Sequence, residues 1–90
     1  MEPITLIVTA LVTGAALGLH ATANQAVQDA YAGLKRLILD RYGTQAEIAG
    51  AVKSVEAKPD SKGRKLTLTE ELEATQAVED AEVLAQARAL

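Results

Sequence analysis

The sequence predicts an all-α fold, a small bundle of four to five helices packed around a hydrophobic N-terminal helix. Three observations carry that prediction. Apolar residues recur at helical spacing from Val27 onward. Capping residues, Thr44 and Asp60 among them, punctuate the pattern at intervals suited to short helices. β-Branched and aromatic residues are sparse beyond the first segment, which argues against a sheet. At 90 residues the chain has room for one domain with a modest core, taken as residues 1–90. It contains no Cys, Trp or Phe, and Tyr31 and Tyr42 are its only aromatics. The core must therefore be Leu, Ile, Val and Ala, which suits helices in close contact.

The first helix is read from Pro3 to Leu19, and no charged side chain occurs between Glu2 and Asp29. Pro3 suits the first turn, where its missing N–H loses no partner. Glu2 sets a negative charge at the positive end of the helix dipole. Ile4, Leu6, Ile7, Val8, Leu11, Val12, Leu17 and Leu19 cover most of the circumference, the pattern of a helix buried in protein or in lipid. Thr5, Thr9 and Thr13 share one side, where a half-exposed edge is the ordinary reading. Ala10, Gly14 and Gly18 form a second row of small residues. That spacing admits a neighbouring helix in a bundle, and in a membrane it permits close helix–helix approach. At ~1.5 Å per residue the segment would be about 26 Å long. The hydrocarbon core of a bilayer is ~30 Å thick, so the segment sits at the border between core helix and membrane span. Ala21-Thr22-Ala23 resembles a signal-peptide cleavage site, but the basic n-region is missing, so neither cleavage nor routine anchoring is expected.

His20 to Asn24 reads as a break, with Thr22 or Asn24 available to cap the next helix. The second helix runs to about Tyr42 on the stripe Val27, Ala30, Tyr31, Leu34, Leu37 and Ile38, with Gly43 as its expected C′ residue. Thr44-Gln45-Ala46-Glu47 has the form of a capping box opening a third helix, whose apolar face is Ile48, Val52 and Val55 and which Pro59 ends. Asp60 or Ser61 caps a fourth helix with Leu68 and Leu72 as core positions and Leu66 adjoining. Its opening, Lys62-Gly63-Arg64-Lys65, is a poor helical segment and is expected to fray, while Leu66-Thr67-Leu68-Thr69 alternates like a strand that has no partner. Asp80 starts a last short helix with Val83, Leu84, Ala87 and Leu90 as its apolar face.

Charge is segregated. Nine basic and twelve acidic residues leave a net charge of −3, which gives no general electrostatic case for nucleic acid. Lys58, Lys62, Arg64 and Lys65 cluster about one turn, and Glu70, Glu71, Glu73, Glu79, Asp80 and Glu82 follow. The ordinary reading of such runs is a solvated face; the alternative is that the basic cluster contacts anionic lipid. The lone His20, with no Cys, offers no metal site, and no nucleophile–base pair or phosphate-binding loop emerges. Neither an enzyme nor a cofactor is expected.

Several stretches together carry a family resemblance. These are Met1-Glu2-Pro3-Ile4-Thr5-Leu6-Ile7-Val8-Thr9-Ala10-Leu11, Gly14-Ala15-Ala16-Leu17-Gly18-Leu19 and Ala26-Val27-Gln28-Asp29-Ala30-Tyr31-Ala32-Gly33-Leu34-Lys35. Ala57-Lys58-Pro59-Asp60-Ser61 and Leu84-Ala85-Gln86-Ala87-Arg88-Ala89-Leu90 complete the set. Over nearly its whole length the chain resembles the Bell domains of bacteria, although Lys62-Gly63-Arg64-Lys65 departs from the Ala-rich start of their fourth helix. Those domains stand N-terminal to a short amyloid signalling motif. They are regarded as counterparts of fungal HeLo domains and of the helical bundle of the necroptotic mixed-lineage-kinase-like pseudokinase. The resemblance implies a cell-death effector of bacterial immunity that rests in the cytoplasm and moves to the inner face of the plasma membrane. There it would oligomerise and permeabilise the bilayer through its N-terminal helix. No amyloid motif lies within residues 1–90, so a receptor partner would act through a motif outside this chain.

On that reading Ile4, Leu6, Ile7, Val8, Leu11, Val12, Leu17 and Leu19 enter the membrane, and Ala10, Gly14 and Gly18 make the helix–helix contact. Lys58, Lys62, Arg64 and Lys65 form the patch available to lipid, and Gly14→Leu is expected to impair leakage more than folding. The competing readings are a homotypic adaptor bundle that recruits through charged faces and a structural oligomerisation domain.

Overall fold

The structure is a computed structural model that describes residues 2–18, 24–45 and 47–90. Among the described residues there are five α-helices and no strand: α1 Pro3–Gly18, α2 Gln25–Tyr42, α3 Ile48–Ala57, α4 Lys62–Glu73 and α5 Ala81–Arg88. A single 3-10 turn, Ala77–Glu79, links α4 to α5. The all-α prediction holds, and α1 is its centre, packing against every other helix and against the 3-10 turn. Ile7 and Leu11 of α1 are sealed from solvent. They meet Leu34 and Ile38 of α2, Ile48, Val52 and Val55 of α3, Leu68 and Leu72 of α4, and Val83 and Ala87 of α5 in one continuous core.

Side-chain caps start three of the later helices. Asn24 accepts the Ala26 N–H at 2.7 Å, Ser61 accepts the Arg64 N–H at 3.3 Å, and Asp80 accepts those of Glu82 and Val83 at 3.0 and 3.3 Å. Each satisfies N–H groups that the first helical turn leaves without partners. With Ser61 in place, Lys62 to Lys65 is regular helix rather than a frayed end, and the strand-like alternation of residues 66–69 is overridden.

Three local expectations are corrected. The third helix does not open on a Thr44 capping box: its N-cap is Glu47, which makes no side-chain cap bond. The Glu47 N–H instead donates to the Glu71 carboxylate of α4 at 2.8 Å, a tertiary partner that displaces the local motif. Gly43 caps α2 with φ −64° and donates its N–H to the Leu39 carbonyl, so this end uses ordinary right-handed backbone. Leu66 does not adjoin the core but is 59% exposed. The expectations for residues 19–23, including Leu19 and a Thr22 cap, and for Ala46 lie outside the described residues.

Candidate functional site

The candidate site is α1, the cradle that holds it, and the basic turn between α3 and α4. A helix apolar on nearly all sides still has to be oriented in a bundle, and small residues orient this one. Ala10, Gly14 and Ala15 are buried on the face that also carries Ile7 and Leu11. Gly14 receives the ring of Tyr31 from α2: a Cβ on Gly14 would overlap Cδ1 and lie 2.9 Å from Cγ. Gly14 thus serves close packing of α1 on α2 within the bundle, while Ala10 borders a groove shared with Ala87 and Leu90 and the surroundings of Gly18 lie outside what is described. Gly14→Leu would strike the Tyr31 ring, so it carries a cost to folding in addition to any effect on leakage.

The remaining positions assigned to membrane insertion divide by exposure. Ile4, Leu6, Val8 and Val12 are half-buried along the flanks, Leu17 is 55% exposed, and Leu19 lies outside the described residues. Thr5 and Thr9 face solvent and Thr13 is half-buried, so the threonine row is the outer edge of the helix. Two open grooves run beside it. One, of about 180 Å³, lies against Thr69 of α4; the other, of about 250 Å³, lies against Ala87 and Leu90 beyond it. No described helix is long and apolar enough to cross a membrane. At ~1.5 Å per residue, the 16 residues of α1 measure about 24 Å, short of the ~30 Å hydrocarbon thickness.

Two polar clusters lock the cradle. In the first, the Tyr31 hydroxyl donates to Glu56 Oε2 of α3 at 2.7 Å, and Lys35 Nζ donates to the same oxygen at 2.7 Å. The Glu56 side chain is 16% exposed. Burial alone would raise its pKa, but the hydrogen bonds from Lys35 and Tyr31 outweigh that and hold it below its ordinary value. Burial, reinforced by the bond to Glu56, pushes the Tyr31 hydroxyl well up, so it remains a donor. Tyr31 therefore joins three helices, its ring on α1 and its hydroxyl on α3.

In the second cluster, Arg41 near the end of α2 bonds both Asp80 oxygens, at 3.0 and 2.8 Å, and reaches Glu82 at 2.8 Å. The Tyr42 hydroxyl donates to Asp80 at 2.7 Å. The Asp80 side chain is 10% exposed, and its hydrogen bonds from Arg41 and Tyr42 hold its pKa down at about 2. This clamp fastens the end of α2 to the start of α5, the two helices that flank α1. Sequence reasoning found the Asp80 cap but not Arg41 or Tyr42, and it missed Glu56 and Lys35 altogether. The one available signal was the i, i+4 spacing of Tyr31 and Lys35 on one side of α2.

In the basic turn, Lys58 and Lys62 are exposed and Lys65 is half-buried, and none of the three has an ion-pair partner among the described residues. Arg64 is engaged instead, donating Nη1 to the Ser54 carbonyl of α3 at 2.9 Å. No group of His, Cys, Asp and Glu able to hold a metal ion is found among the described residues.

A family model described as the Het-E N-terminal domain matches residues 1–90, and the chain belongs to that family. It is a HeLo-like family of cell-death domains. No curated protein and no solved structure is found to match the chain.

Proposed function

We propose that this member of the Het-E N-terminal domain family is a membrane-targeting, pore-forming effector of the bacterial Bell type, with α1 as the segment that enters the bilayer. The observation that carries the reading is the place of α1: an uncharged helix at the centre of a cell-death domain, touching every other element. A bilayer returns to α1 the apolar surroundings it loses on leaving the bundle, so the two arrangements can differ by little in free energy. The later helices lack that property, since each carries charges that would cost several kcal/mol in hydrocarbon. At its present length α1 would thin the bilayer or enter it shallowly, as short helices do. Ala10, Gly14 and Gly18, with Gly14 freed from Tyr31, would then supply close contact between inserted copies. Lys58, Lys62 and Lys65 would hold the resting domain against anionic lipid at the inner face of the plasma membrane.

Dye release from anionic liposomes tests the reading with Thr5→Asp and Thr9→Asp. Both positions face solvent in the bundle, so the variants fold. In the bilayer each places a carboxylate in hydrocarbon, which translocon-based scales put at about 2.5–3.5 kcal/mol near a helix centre. Loss of leakage at unchanged melting temperature is the expected result. Leakage equal to that of the parent would remove α1 as the inserting element and bring the adaptor reading forward.

A further inference from the structure

The outward face of α4 is not accounted for by the folding of a single chain. Its inward residues, Leu68 and Leu72, are fully buried, while Lys62, Gly63, Leu66, Thr67, Glu70 and Glu73 are exposed. Leu66 and Leu17 are the two strongly exposed large hydrophobic side chains among the described residues. A Cβ on Gly63 would meet nothing within 4 Å, so no packing inside the chain requires glycine there. The Thr67 hydroxyl donates to the Gly63 carbonyl at 3.0 Å and so seeks no partner on the surface.

The charges on this helix run against its dipole. Lys62 and Lys65 lie at the N-terminal, positive end, and Glu70 and Glu73 at the C-terminal, negative end, the opposite of the favourable order. Neither lysine of this helix has an acidic residue three or four positions on, and none of these four side chains has an ion-pair partner among the described residues. One chain gains nothing from this order.

A second copy does gain from it. Laying two α4 helices antiparallel about a two-fold axis level with Thr67 and Leu68 sets exposed Lys62 opposite exposed Glu73, twice over. The two helix dipoles then oppose each other, and the two Leu66 side chains meet within about one turn (~5.4 Å) of each other near the axis. Gly63 leaves the flanks open for close approach. We propose that α4 is a homotypic docking surface whose partner is a second copy of this chain, joined by complementary charge around a paired Leu66. The proposal does not rest on the membrane reading, since it concerns the folded domain in solution.

Sedimentation velocity of the full chain tests it. Raising salt from about 20 mM to about 500 mM shortens the screening length from roughly 20 to roughly 4 Å. Self-association at low salt that weakens at least about tenfold at high salt is expected. Lys62→Glu and Glu73→Lys should each be monomeric alone, with circular dichroism unchanged, and should dimerise when mixed in equal amounts. Combining both changes in one chain should restore self-association, and Leu66→Ser should weaken it without lowering the melting temperature. Three results would each overturn the proposal. These are a parent chain monomeric at low salt up to about 1 mM, where a Kd of about 1 mM would still show, charge-reversed variants that associate like the parent, or a mixture that stays monomeric.

Discussion

Gly14 and Tyr31 are the contact on which the position of the first helix depends. A side chain at Gly14 displaces the Tyr31 ring, and the ring cannot yield without breaking the bond from its hydroxyl to Glu56. Overpacking of this kind costs about 1–3 kcal/mol, so Gly14→Leu should lower stability by at least that much in chemical denaturation. Tyr31→Phe keeps the ring on Gly14 and removes only the hydroxyl, a loss of about 1.5–3 kcal/mol by the same measurement because its partner Glu56 is charged. Leu11, 1% exposed, should lose roughly 2–5 kcal/mol on change to Ala, whereas exposed Thr9 should tolerate Val within about 0.5 kcal/mol. An unchanged melting temperature for Leu11→Ala would exclude α1 from the core. The burial of Ile7 and Leu11 was legible because the apolar pattern of the N-terminal segment leaves few alternatives. The seating of Tyr31 on Gly14 was not, because it depends on which faces of two helices meet, and periodicity alone does not fix that.

Among the elements, the α2–α5 clamp ties stability to pH. The hydrogen bonds from Arg41 and Tyr42 hold Asp80 at about 2 in the folded chain, below the ordinary value of 3.8 it regains when unfolded. The unfolded chain therefore binds the proton more readily, and the contribution of Asp80 is complete above pH ~5 and lost as pH falls toward 2. Glu56, also held below its ordinary value, adds to the same acid limb. Asp80→Asn should flatten that limb in thermal melts between pH ~5 and ~2, while Asp80→Ala should in addition lose a helix cap worth about 1 kcal/mol. The cap was legible at Asp80 because N-capping is local. The guanidinium that shares the carboxylate comes from Arg41, in a different helix, and no local spacing announces it. The third helix shows the converse, since the Thr44-to-Glu47 pattern matched a capping box but Glu71, brought from α4, took the Glu47 N–H. The exposed face of α4 was half-legible: the charge runs were visible, but the exposure of Leu66 beside them was not.

In the molecule as a whole, the same helix holds the fold together and carries the proposed activity. Extracting α1 opens the core along its length, and full burial of side chains such as Ile7 and Leu11 is worth about 1.5–3 kcal/mol each. Release therefore needs a competing apolar phase, and conditions that loosen the clamps should favour it. Lowering pH from about 7 to about 3 weakens the Asp80 contribution and should increase leakage from anionic vesicles by the parent chain. Asp80→Asn should leak more than the parent at neutral pH and show a smaller rise on acidification.

The central claim is that α1 enters the bilayer while α4 stays in water. Because the chain has no cysteine, single labels can be placed at Thr9→Cys on α1 and at Thr67→Cys on α4, both exposed in the folded domain. An environment-sensitive fluorophore at each site reports its depth in anionic vesicles while they leak. The account predicts that the Thr9 label shifts to the blue and is quenched by lipid-borne quenchers, while the Thr67 label remains accessible to aqueous iodide. Leakage with the Thr9 label still accessible to iodide would contradict it.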